Sequence, residues 1–263
     1  FKPDELEKIN DAIYATQGLV LVTGPTGSGK TTTLYSILSE LNDPKRNILT
    51  AEDPIEYELE GIGQSQMKSE INYTFAKALR TFLRQDPEVI LVGEIRDQET
   101  GNIAVEAALT GHLVCSTLHT NSSVETITRL VNMGIPNYLI SSSVSLVIGQ
   151  RLARKICQKC KIEDKNSSAK LLKQMKLPSD LKPMVGKGCK ECNNSGYKGR
   201  QGIYEILKIT EDLQDGILKN LTIPEMEAVA KKEGFLSMQE VGAGYIKEGF
   251  LSLEEYQRTL FIS

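Results

Sequence analysis

Four short, mostly apolar runs divide the chain, and each is followed by a polar cluster and then by a segment with helical periodicity. The runs are Leu19–Val22, Ile48–Ala51, Val89–Val92 and Leu113–Leu118. Continuous runs of this length are typical of strands buried on both faces of a parallel sheet. Because they alternate with amphipathic segments, we predict an α/β fold in which helices cover both faces of a mostly parallel sheet.

The segments between the runs carry apolar residues at intervals of three and four, as expected for helices with one buried face. The predicted helices include residues 3–16, 34–41, 75–83, 97–109 and 124–131. In the first of them, Leu6, Ile9 and Ile13 are expected to share the buried face. A longer helix is predicted over about 136–154. Residues 60–72 fit either a loop or a weak strand.

A glycine-rich stretch directly after the first run has the pattern of a P-loop and ends in Lys-Thr. Its candidate nucleotide-binding residues are Gly24, Pro25, Thr26, Gly27, Ser28, Gly29, Lys30, Thr31 and Thr32. Glycines let backbone N–H groups approach phosphate oxygens, and the N-terminus of the following helix favours an anion. The Lys30 ammonium can reach the β- and γ-phosphates, and the Thr31 hydroxyl can hold Mg²⁺. ATP and Mg²⁺ are therefore predicted ligands; a glycine-rich turn that binds nothing is the alternative.

Three further polar clusters follow the other runs, at Glu52–Glu56, Gly93–Glu94 and His119. The carboxyl ends of parallel strands lie at one edge of the sheet, which is where ligands bind in such folds. A carboxylate directly after a buried strand can orient or deprotonate the water that attacks a phosphate. Glu94 is therefore the first candidate for the catalytic residue.

The other polar groups at the strand ends carry less specific signals. Many P-loop enzymes place an Asp here to help hold Mg²⁺, but this chain has Gly93 and Glu94 instead. Asp53 and Glu56 are candidates for that carboxylate, with an exposed acidic turn as the alternative. His119 could donate to the γ-phosphate, or it could be a structural side chain. The arginines that could supply positive charge are Arg80, Arg84, Arg96 and Arg151.

Four of the five cysteines occur as two Cys-x-x-Cys pairs, Cys157 with Cys160 and Cys189 with Cys192. Two such pairs supply the four thiolates of a tetrahedral Zn²⁺ site. A redox Cys-x-x-Cys normally occurs singly, on a thioredoxin-like unit. We therefore predict a closed, structural zinc site that stabilises a lysine-rich loop too polar to form its own core. Cys115 lies in an apolar run and is predicted to be a buried small hydrophobic residue.

The composition changes after Lys155, and three domains are predicted. Residues 1–155 form the P-loop core, residues 156–200 the zinc module, and residues 201–263 a strand near 203–207 with three helices. Each of these helices begins with a capping box, in which a Ser or Thr is followed three residues later by Glu. The boxes are Thr222–Glu225, Ser237–Glu240 and Ser252–Glu255. We expect the three helices to pack as a small bundle.

The net charge of -3 conceals an uneven distribution. Residues 151–200 hold 14 Lys and Arg against 4 Asp and Glu, a net charge of +10, so the rest of the chain carries -13. The basic segment is either a solvated surface or a docking face for an acidic partner or anionic lipid. No run has transmembrane length and no signal peptide is visible, so reduced thiols are expected. The chain begins with Phe1, and we expect a further N-terminal part to precede it.

Four motifs of this chain resemble those of the ATPases of type II secretion and type IV pilus systems, in that family's order. They are the Walker A motif at 24–33, the aspartate box at 51–56, the Walker B region at 83–87 and 92–97, and the histidine box at 110–121. The segment 249–255, Gly-Phe-Leu-Ser-Leu-Glu-Glu, is also similar to the family's end. The resemblance covers nearly the whole chain.

This resemblance implies a RecA-like P-loop core and a Mg²⁺-dependent ATPase. It implies that Glu94 is the catalytic carboxylate, that Glu56 assists at the metal or the water, and that His119 contacts the γ-phosphate. It further implies a homo-hexamer, cytoplasmic and peripheral to the inner membrane, that works with an inner-membrane platform protein and couples ATP turnover to pilin movement. The family's second, N-terminal domain, which supplies arginines to the nucleotide site, is expected to precede this segment.

The cysteine pairs also divide the family, because assembly and secretion ATPases resemble this sequence in carrying them and retraction ATPases generally lack them. The sequence therefore favours pilus assembly or protein export. Two alternatives are a nucleotide-binding assembly module without turnover in isolation and a zinc-containing nucleic-acid-binding ATPase. The acidic body, the lack of Trp, and Tyr197 as the single aromatic residue of 151–200 argue against a nucleic-acid partner, and none is expected.

Overall fold

The predicted α/β fold class is confirmed by a computed structural model, which describes residues 1–165, 167, 169–175 and 177–261. The strands are β1 (Gly18–Thr23), β2 (Ile48–Glu52), β3 (Gly63–Gln66), β4 (Val89–Val92), β5 (Leu113–Leu118), β6 (Val144–Ile156), β7 (Lys161–Glu163), β8 (Met184–Gly186) and β9 (Tyr197–Lys208). Seven of them form one sheet in the order β3-β2-β4-β5-β1-β6-β9. The five pairings from β3 to β6 are all parallel. The two remaining strands, β7 and β8, form an antiparallel pair.

Helices connect the parallel strands, as the alternating pattern predicts. They are α1 (Pro3–Ile13), α2 (Lys30–Leu41), α3 (Phe75–Phe82), α4 (Gln98–Leu109), α5 (Ser123–Asn132), α6 (Asn137–Ser143), α7 (Ala169–Gln174), α8 (Glu211–Leu218), α9 (Ile223–Lys232), α10 (Met238–Lys247) and α11 (Leu253–Leu260). Short 3-10 turns lie at Ser69–Ile71 and Lys190–Cys192. Several helices begin with a side-chain cap; Asp97 accepts from Thr100 N at 2.8 Å at the start of α4.

The chain divides into two compact units. The first comprises Phe1–Gly149 and Ile206–Phe235, and the second comprises Gln150–Glu205 and Leu236–Ser263. The domain boundaries predicted from composition, at residues 155 and 200, both fall inside the Gln150–Glu205 segment of the second unit. Residues 166, 168 and 176 of the predicted zinc module and the last two residues of the chain lie outside the described residues.

Each unit has its own apolar core. In the first unit, strands β1, β4 and β5 are buried along their whole length, and Leu79, Ile127 and Leu130 pack on them from the helices. In the second unit, Ile203 and Tyr256 belong to a separate cluster to which α10 and α11 contribute. The edge of the sheet that carries the polar clusters is therefore built on buried, mostly apolar strands.

The long helix predicted over about 136–154 is wrong. The chain leaves α6 at Ser143 and continues as the 13-residue strand β6. This strand pairs in parallel with β1, from Leu19 opposite Val144 to Thr23 opposite Gly149. Val and Ile favour strands and Gly disfavours a helix interior, but the unpaired side of β1 decides the outcome because its backbone groups need partners.

Two smaller expectations also need correction or completion, on helix α1 and on residues 60–72. Leu6 is 46% exposed, so the buried face of α1 is formed by Ile9, Ala12 and Ile13 without it. The unassigned residues 60–72 include β3, which pairs in parallel with β2. Among the described residues, no helix is both long enough and apolar enough to cross a membrane.

The three C-terminal helices form where the capping boxes predict them, but they do not pack as one bundle. Helix α9 packs with α5 and α8 in the first unit, whereas α10 and α11 pack with each other in the second. In the boxes at Thr222 and Ser237, Glu225 and Glu240 each accept from the backbone N–H of their cap residue at 2.8 Å, and Ser237 Oγ accepts in return from Glu240 N at 3.4 Å. In the third box, Ser252 Oγ accepts from Glu255 N at 3.2 Å, but the Glu255 carboxylate pairs with Arg154 and Arg258 instead of the cap residue.

Candidate nucleotide site and tetracysteine centre

The P-loop lies between β1 and α2, where strand, turn and helix follow each other within a few residues. Gly27 and Gly29 have φ values of 78° and 90°, in the left-handed region that favours glycine. The Lys30 ammonium donates to the carbonyl oxygens of Gly24 at 2.8 Å and Pro25 at 3.2 Å, so it lies against the loop itself. Gly24 and Ser28 are buried, Gly29, Lys30 and Thr31 are half-buried, and Pro25, Thr26, Gly27 and Thr32 are exposed.

Two predicted site residues meet at the ends of β4 and β5. These strands are neighbours, and their register places Val92 opposite Ser116, so the residues that follow them emerge side by side. The His119 Nε2 atom lies 3.7 Å from Glu94 Oε2. The Glu94 side chain is 15% exposed and the His119 side chain 54% exposed. A mostly buried carboxylate beside an accessible imidazole is suited to holding a water and a phosphate oxygen.

Arg96 holds the other oxygen of the same carboxylate. Its guanidinium contacts Glu94 Oε1, and this hydrogen bond raises the pKa of Arg96. The remaining candidate arginines lie elsewhere: Arg80 pairs with Glu99 at 2.8 Å, Arg84 is exposed, and Arg151 is buried in the second unit. The structure therefore selects Arg96 among the four arginines as the one beside Glu94, a choice that spacing in the sequence could not make.

Hydroxyl groups that sequence reasoning missed fix the backbone around these residues. The Thr117 hydroxyl donates to the Gly93 carbonyl at 2.7 Å, and Ile95 N donates to the Thr117 carbonyl at 3.0 Å. On the P-loop side, Thr120 N donates to the Thr23 hydroxyl at 3.0 Å. The ends of β1, β4 and β5 are thus joined by hydrogen bonds. Their sequence signal is only a Thr at a strand end.

The two acidic candidates of the aspartate box, Asp53 and Glu56, are exposed on the loop after β2. Asp53 and Arg96 both line a cleft of about 570 Å³ at this edge of the sheet. The Glu56 N–H donates to the Tyr35 hydroxyl at 3.3 Å. Both carboxylates are therefore accessible to a ligand.

Sequence reasoning also missed a buried carboxylate in the same box. Glu52, at the end of β2, is 4% exposed. It accepts hydrogen bonds from Thr50 Oγ1 at 2.5 Å, from Gln64 Nε2 at 3.0 Å and from the Tyr35 hydroxyl. The acidic run of the sequence contains this Glu, but nothing in its local pattern separates a buried member from exposed ones.

The four paired cysteines come together in the second unit, and their sulfur atoms all lie within 4.8 Å of one another. Three of the separations are 3.8 Å for Cys157–Cys189, 3.9 Å for Cys160–Cys192 and 3.7 Å for Cys189–Cys192. A tetrahedral Zn²⁺ with bonds of about 2.3 Å needs sulfur–sulfur distances of about 3.8 Å. The residues present therefore fit a structural zinc ion.

Backbone groups support these sulfurs. Gly188 N donates to Cys160 Sγ at 3.3 Å, and Cys189 N donates to Cys192 Sγ at 3.2 Å. Burial acts to raise the pKa of the Cys192 thiol, but hydrogen bonds from the N–H groups of Cys189 and Gly196 and from the thiols of Cys189 and Cys160 together lower that pKa to about 6. Thiolate is the form that binds a metal, so these contacts favour ligation by Cys192.

The chain around the cysteines is held by backbone hydrogen bonds and by one close approach of two backbone segments. Cys157 N donates to the Gly196 carbonyl at 2.9 Å, and Lys187 N donates to the Cys160 carbonyl at 3.0 Å. A Cβ atom at Gly186 would lie 1.9 Å from the Gly196 carbonyl oxygen. Glycine is therefore required where these two segments pass.

The fifth cysteine behaves as predicted. Cys115 lies in β5, where it is fully buried, and burial raises the pKa of its thiol to about 12. It is therefore a small core residue and not a reactive thiol.

The comparison with known proteins assigns the fold to a family. The family model described as "Type II/IV secretion system protein" matches residues 1–258 of the chain. The chain belongs to this family. One relative in it is the Type II secretion system protein E of Aeromonas hydrophila, 51% identical over 210 residues, or 80% of this chain and 42% of the relative. Another is the Type IV pilus assembly ATPase PilB of Pseudomonas aeruginosa, 50% identical over 246 residues, or 92% of this chain and 43% of the relative.

A solved structure supports the same assignment to the secretion family. The crystal structure of the pilus retraction motor PilT with bound ADP is 32% identical and superposes with a TM-score of 0.71, over 96% of this chain and 64% of that chain. The chain spans less than half the length of the two relatives named above. The resemblance inferred from the four motifs is therefore confirmed at the level of the family.

Proposed function

We propose that this chain is the ATP-hydrolysing part of a motor for type IV pilus assembly or type II protein secretion. The observation that carries the proposal is the meeting of Glu94 and His119 at strand ends beside the strand that leads into the P-loop. The relatives' names, a pilus assembly ATPase and a type II secretion protein, support the choice of machinery.

In this proposal the P-loop and its neighbours bind the phosphates and the metal ion. The P-loop from Gly24 to Thr32 cradles the phosphates, and Lys30 moves from the loop carbonyls to the β- and γ-phosphates. Thr31, with Asp53 or Glu56, would hold Mg²⁺, which neutralises charge on the phosphates when bound.

The water is activated at the neighbouring strand end. Glu94 accepts the proton of the attacking water or orients it, while Arg96 holds one oxygen of that carboxylate. His119 donates to the γ-phosphate, whose negative charge it helps to stabilise. Because the water and the phosphate are held on adjacent strand ends, little reorganisation is needed during attack.

The assembly around this chain is proposed on the same basis. The whole protein works as a homo-hexamer in the cytoplasm, peripheral to the inner membrane, where it acts with a platform protein and without nucleic acid. The four cysteines hold a structural Zn²⁺, which favours assembly or export over retraction. This last step depends on the family resemblance and on the fit of the four sulfur atoms to a tetrahedral ion.

The test is steady-state phosphate release with Mg²⁺-ATP over a range of protein concentrations. We expect a specific rate that rises with concentration, as for a catalytic oligomer, and a loss of about 100-fold or more in Glu94→Gln with ATP binding retained. Glu106→Gln, an exposed Glu on α4, is the matched control and should match wild type. Tight ATP binding without turnover in the wild-type protein would instead support a nucleotide-binding assembly module.

A further inference from the structure

The aspartate-box loop, residues 53–59, is attached to the P-loop helix through one buried side chain. Tyr35 lies on α2, the helix that begins at Lys30, and is 1% exposed. Its hydroxyl donates to the buried Glu52 carboxylate at the end of β2. A carboxylate that has left water requires several donors, and Thr50 and Gln64 supply the others. Loss of the hydrogen bond from Tyr35 would therefore leave the buried Glu52 carboxylate with one donor fewer and destabilise the fold.

The same tyrosine contacts the loop on both sides of the Glu56 peptide. Its hydroxyl oxygen accepts from Glu56 N at 3.3 Å. Its ring meets the Tyr57 ring edge-on, with ring centroids 4.7 Å apart and an interplanar angle of 78°. Burial raises the pKa of Tyr35, and the bond to Glu52 acts in the same direction, so the hydroxyl stays protonated and keeps donating.

Gln64 holds the next part of the loop from the edge strand β3. Its Nε2 atom donates to the Tyr57 carbonyl at 3.2 Å as well as to Glu52, and its Oε1 atom accepts from Leu59 N at 2.6 Å. Backbone groups of residues 56, 57 and 59 are thus all bound to a network centred on Glu52. The Glu56 side chain is left exposed, so the network fixes its backbone while its carboxylate stays available.

We propose that Tyr35 is a positioning residue that couples the P-loop helix to the aspartate box and so sets where the Glu56 carboxylate stands relative to the bound nucleotide. The inference rests on the proposed function, because Glu56 matters only if this edge of the sheet hydrolyses a nucleotide. A catalytic group must stand within a fraction of an ångström of its productive place, and a displacement of about 1 Å can cost about 100-fold in rate.

The test compares Tyr35→Phe with wild type by amide hydrogen exchange and by ATPase kinetics. Loss of the hydroxyl should speed exchange in residues 54–59 about tenfold and leave the P-loop unchanged. It should lower kcat about tenfold while KM for ATP changes less than twofold, since binding groups are untouched. In a Glu56→Gln background the same change should alter kcat less than twofold, because the group that Tyr35 positions has been removed.

Two further variants keep the outcome decisive. Tyr14→Phe removes a hydroxyl that donates to Glu40 at 2.7 Å on the surface of the same unit, and it should change neither readout. Gln64→Ala, a half-buried residue of an edge strand, should reproduce the signature of Tyr35→Phe and carries the test if that variant folds poorly. A raised KM with unchanged kcat, or unchanged exchange in the loop, would overturn the proposal. Absence of wild-type turnover would count against the proposed function, while the exchange data would still decide whether Tyr35 holds the loop.

Discussion

The strands around the P-loop and the strands around the four cysteines are stabilised in opposite ways. Every residue of β1, β4 and β5 is buried, whereas in β7 and β8 every residue is half-buried or exposed. Removing apolar surface from water contributes about 25 cal/mol per Å² and supports the first region. The second region has backbone hydrogen bonds and four convergent sulfur atoms in its place.

This difference indicates where each region tolerates change. The candidate nucleotide site consists of loops on buried strands, so we expect that its side chains can be replaced with loss of the proposed activity and little loss of fold. The cysteine region carries no candidate reaction, but its fold depends on a few polar and backbone contacts. The three predictions below test this contrast, from the largest expected effect to the smallest.

Removal of metal should unfold the cysteine region and spare the nucleotide site. We expect a strong zinc chelator, or Cys160→Ser, to make residues 157–196 sensitive to limited proteolysis, because the binding free energy of a structural metal ion contributes directly to folding and the variant lacks one of the four ligands. Binding of ATP, measured by calorimetry, should change less than twofold. Cys115→Ala, which removes a cysteine outside the cluster, is the control and should keep the region protected. A protein that purifies without zinc and resists proteolysis would contradict the contrast.

Gly186→Ala should destabilise the second unit by about 3 kcal/mol, because its Cβ atom would lie 1.9 Å from a carbonyl oxygen and the backbone has to move. The measurement is urea unfolding followed by circular dichroism. Gly244→Ala in α10, where a new Cβ atom meets nothing within 4 Å, is the matched control. It should stabilise by about 0.5–1 kcal/mol, as Ala does over Gly in a helix. Equal effects of the two changes would show that the close backbone approach is not needed.

Glu255→Gln should cost about 2 kcal/mol at neutral pH, since the fully buried carboxylate accepts from Arg154 N and Nε at 2.7 and 2.9 Å and from Arg258 Nε at 2.9 Å. Burial acts to raise the pKa of Glu255, but these hydrogen bonds lower it to about 2 from the ordinary 4.5. The stabilisation is therefore full above about pH 4.5 and is lost as the pH falls toward 2.

The check is the urea midpoint of wild type and Glu255→Gln at pH 7, 4.5 and 3. The wild-type midpoint should fall more steeply than that of the variant between pH 4.5 and 3. Glu254→Gln serves as the control, since the side chain of Glu254 is 74% exposed and the variant should follow wild type. Parallel pH curves for wild type and Glu255→Gln would rule out this ion pair as a stabilising element.

Prediction succeeded where a feature depends on neighbours along the chain. The P-loop turn, the buried strands at 19–22 and 89–92 and the capping boxes at Thr222 and Ser237 all depend on residues a few positions apart. The Cys-x-x-Cys pairs belong to the same class, because their spacing already matches a zinc knuckle. Prediction failed at β6. Its apolar residues fit a helix, but the strand forms because β1, more than 100 residues away in the chain, supplies its hydrogen-bond partners.

The sequence by itself determined the chemistry available to this protein: a phosphate-binding loop, carboxylates after buried strands and four paired thiols. The tertiary structure decided which polar groups meet. Glu255 has the spacing of a capping box, but its carboxylate pairs with Arg154 and Arg258. Glu52 belongs to an acidic run, but it is buried and accepts a hydrogen bond from the Tyr35 hydroxyl. The physical reason is that a local pattern sets backbone conformation, whereas the partner of a buried charge depends on desolvation and on elements distant in the chain.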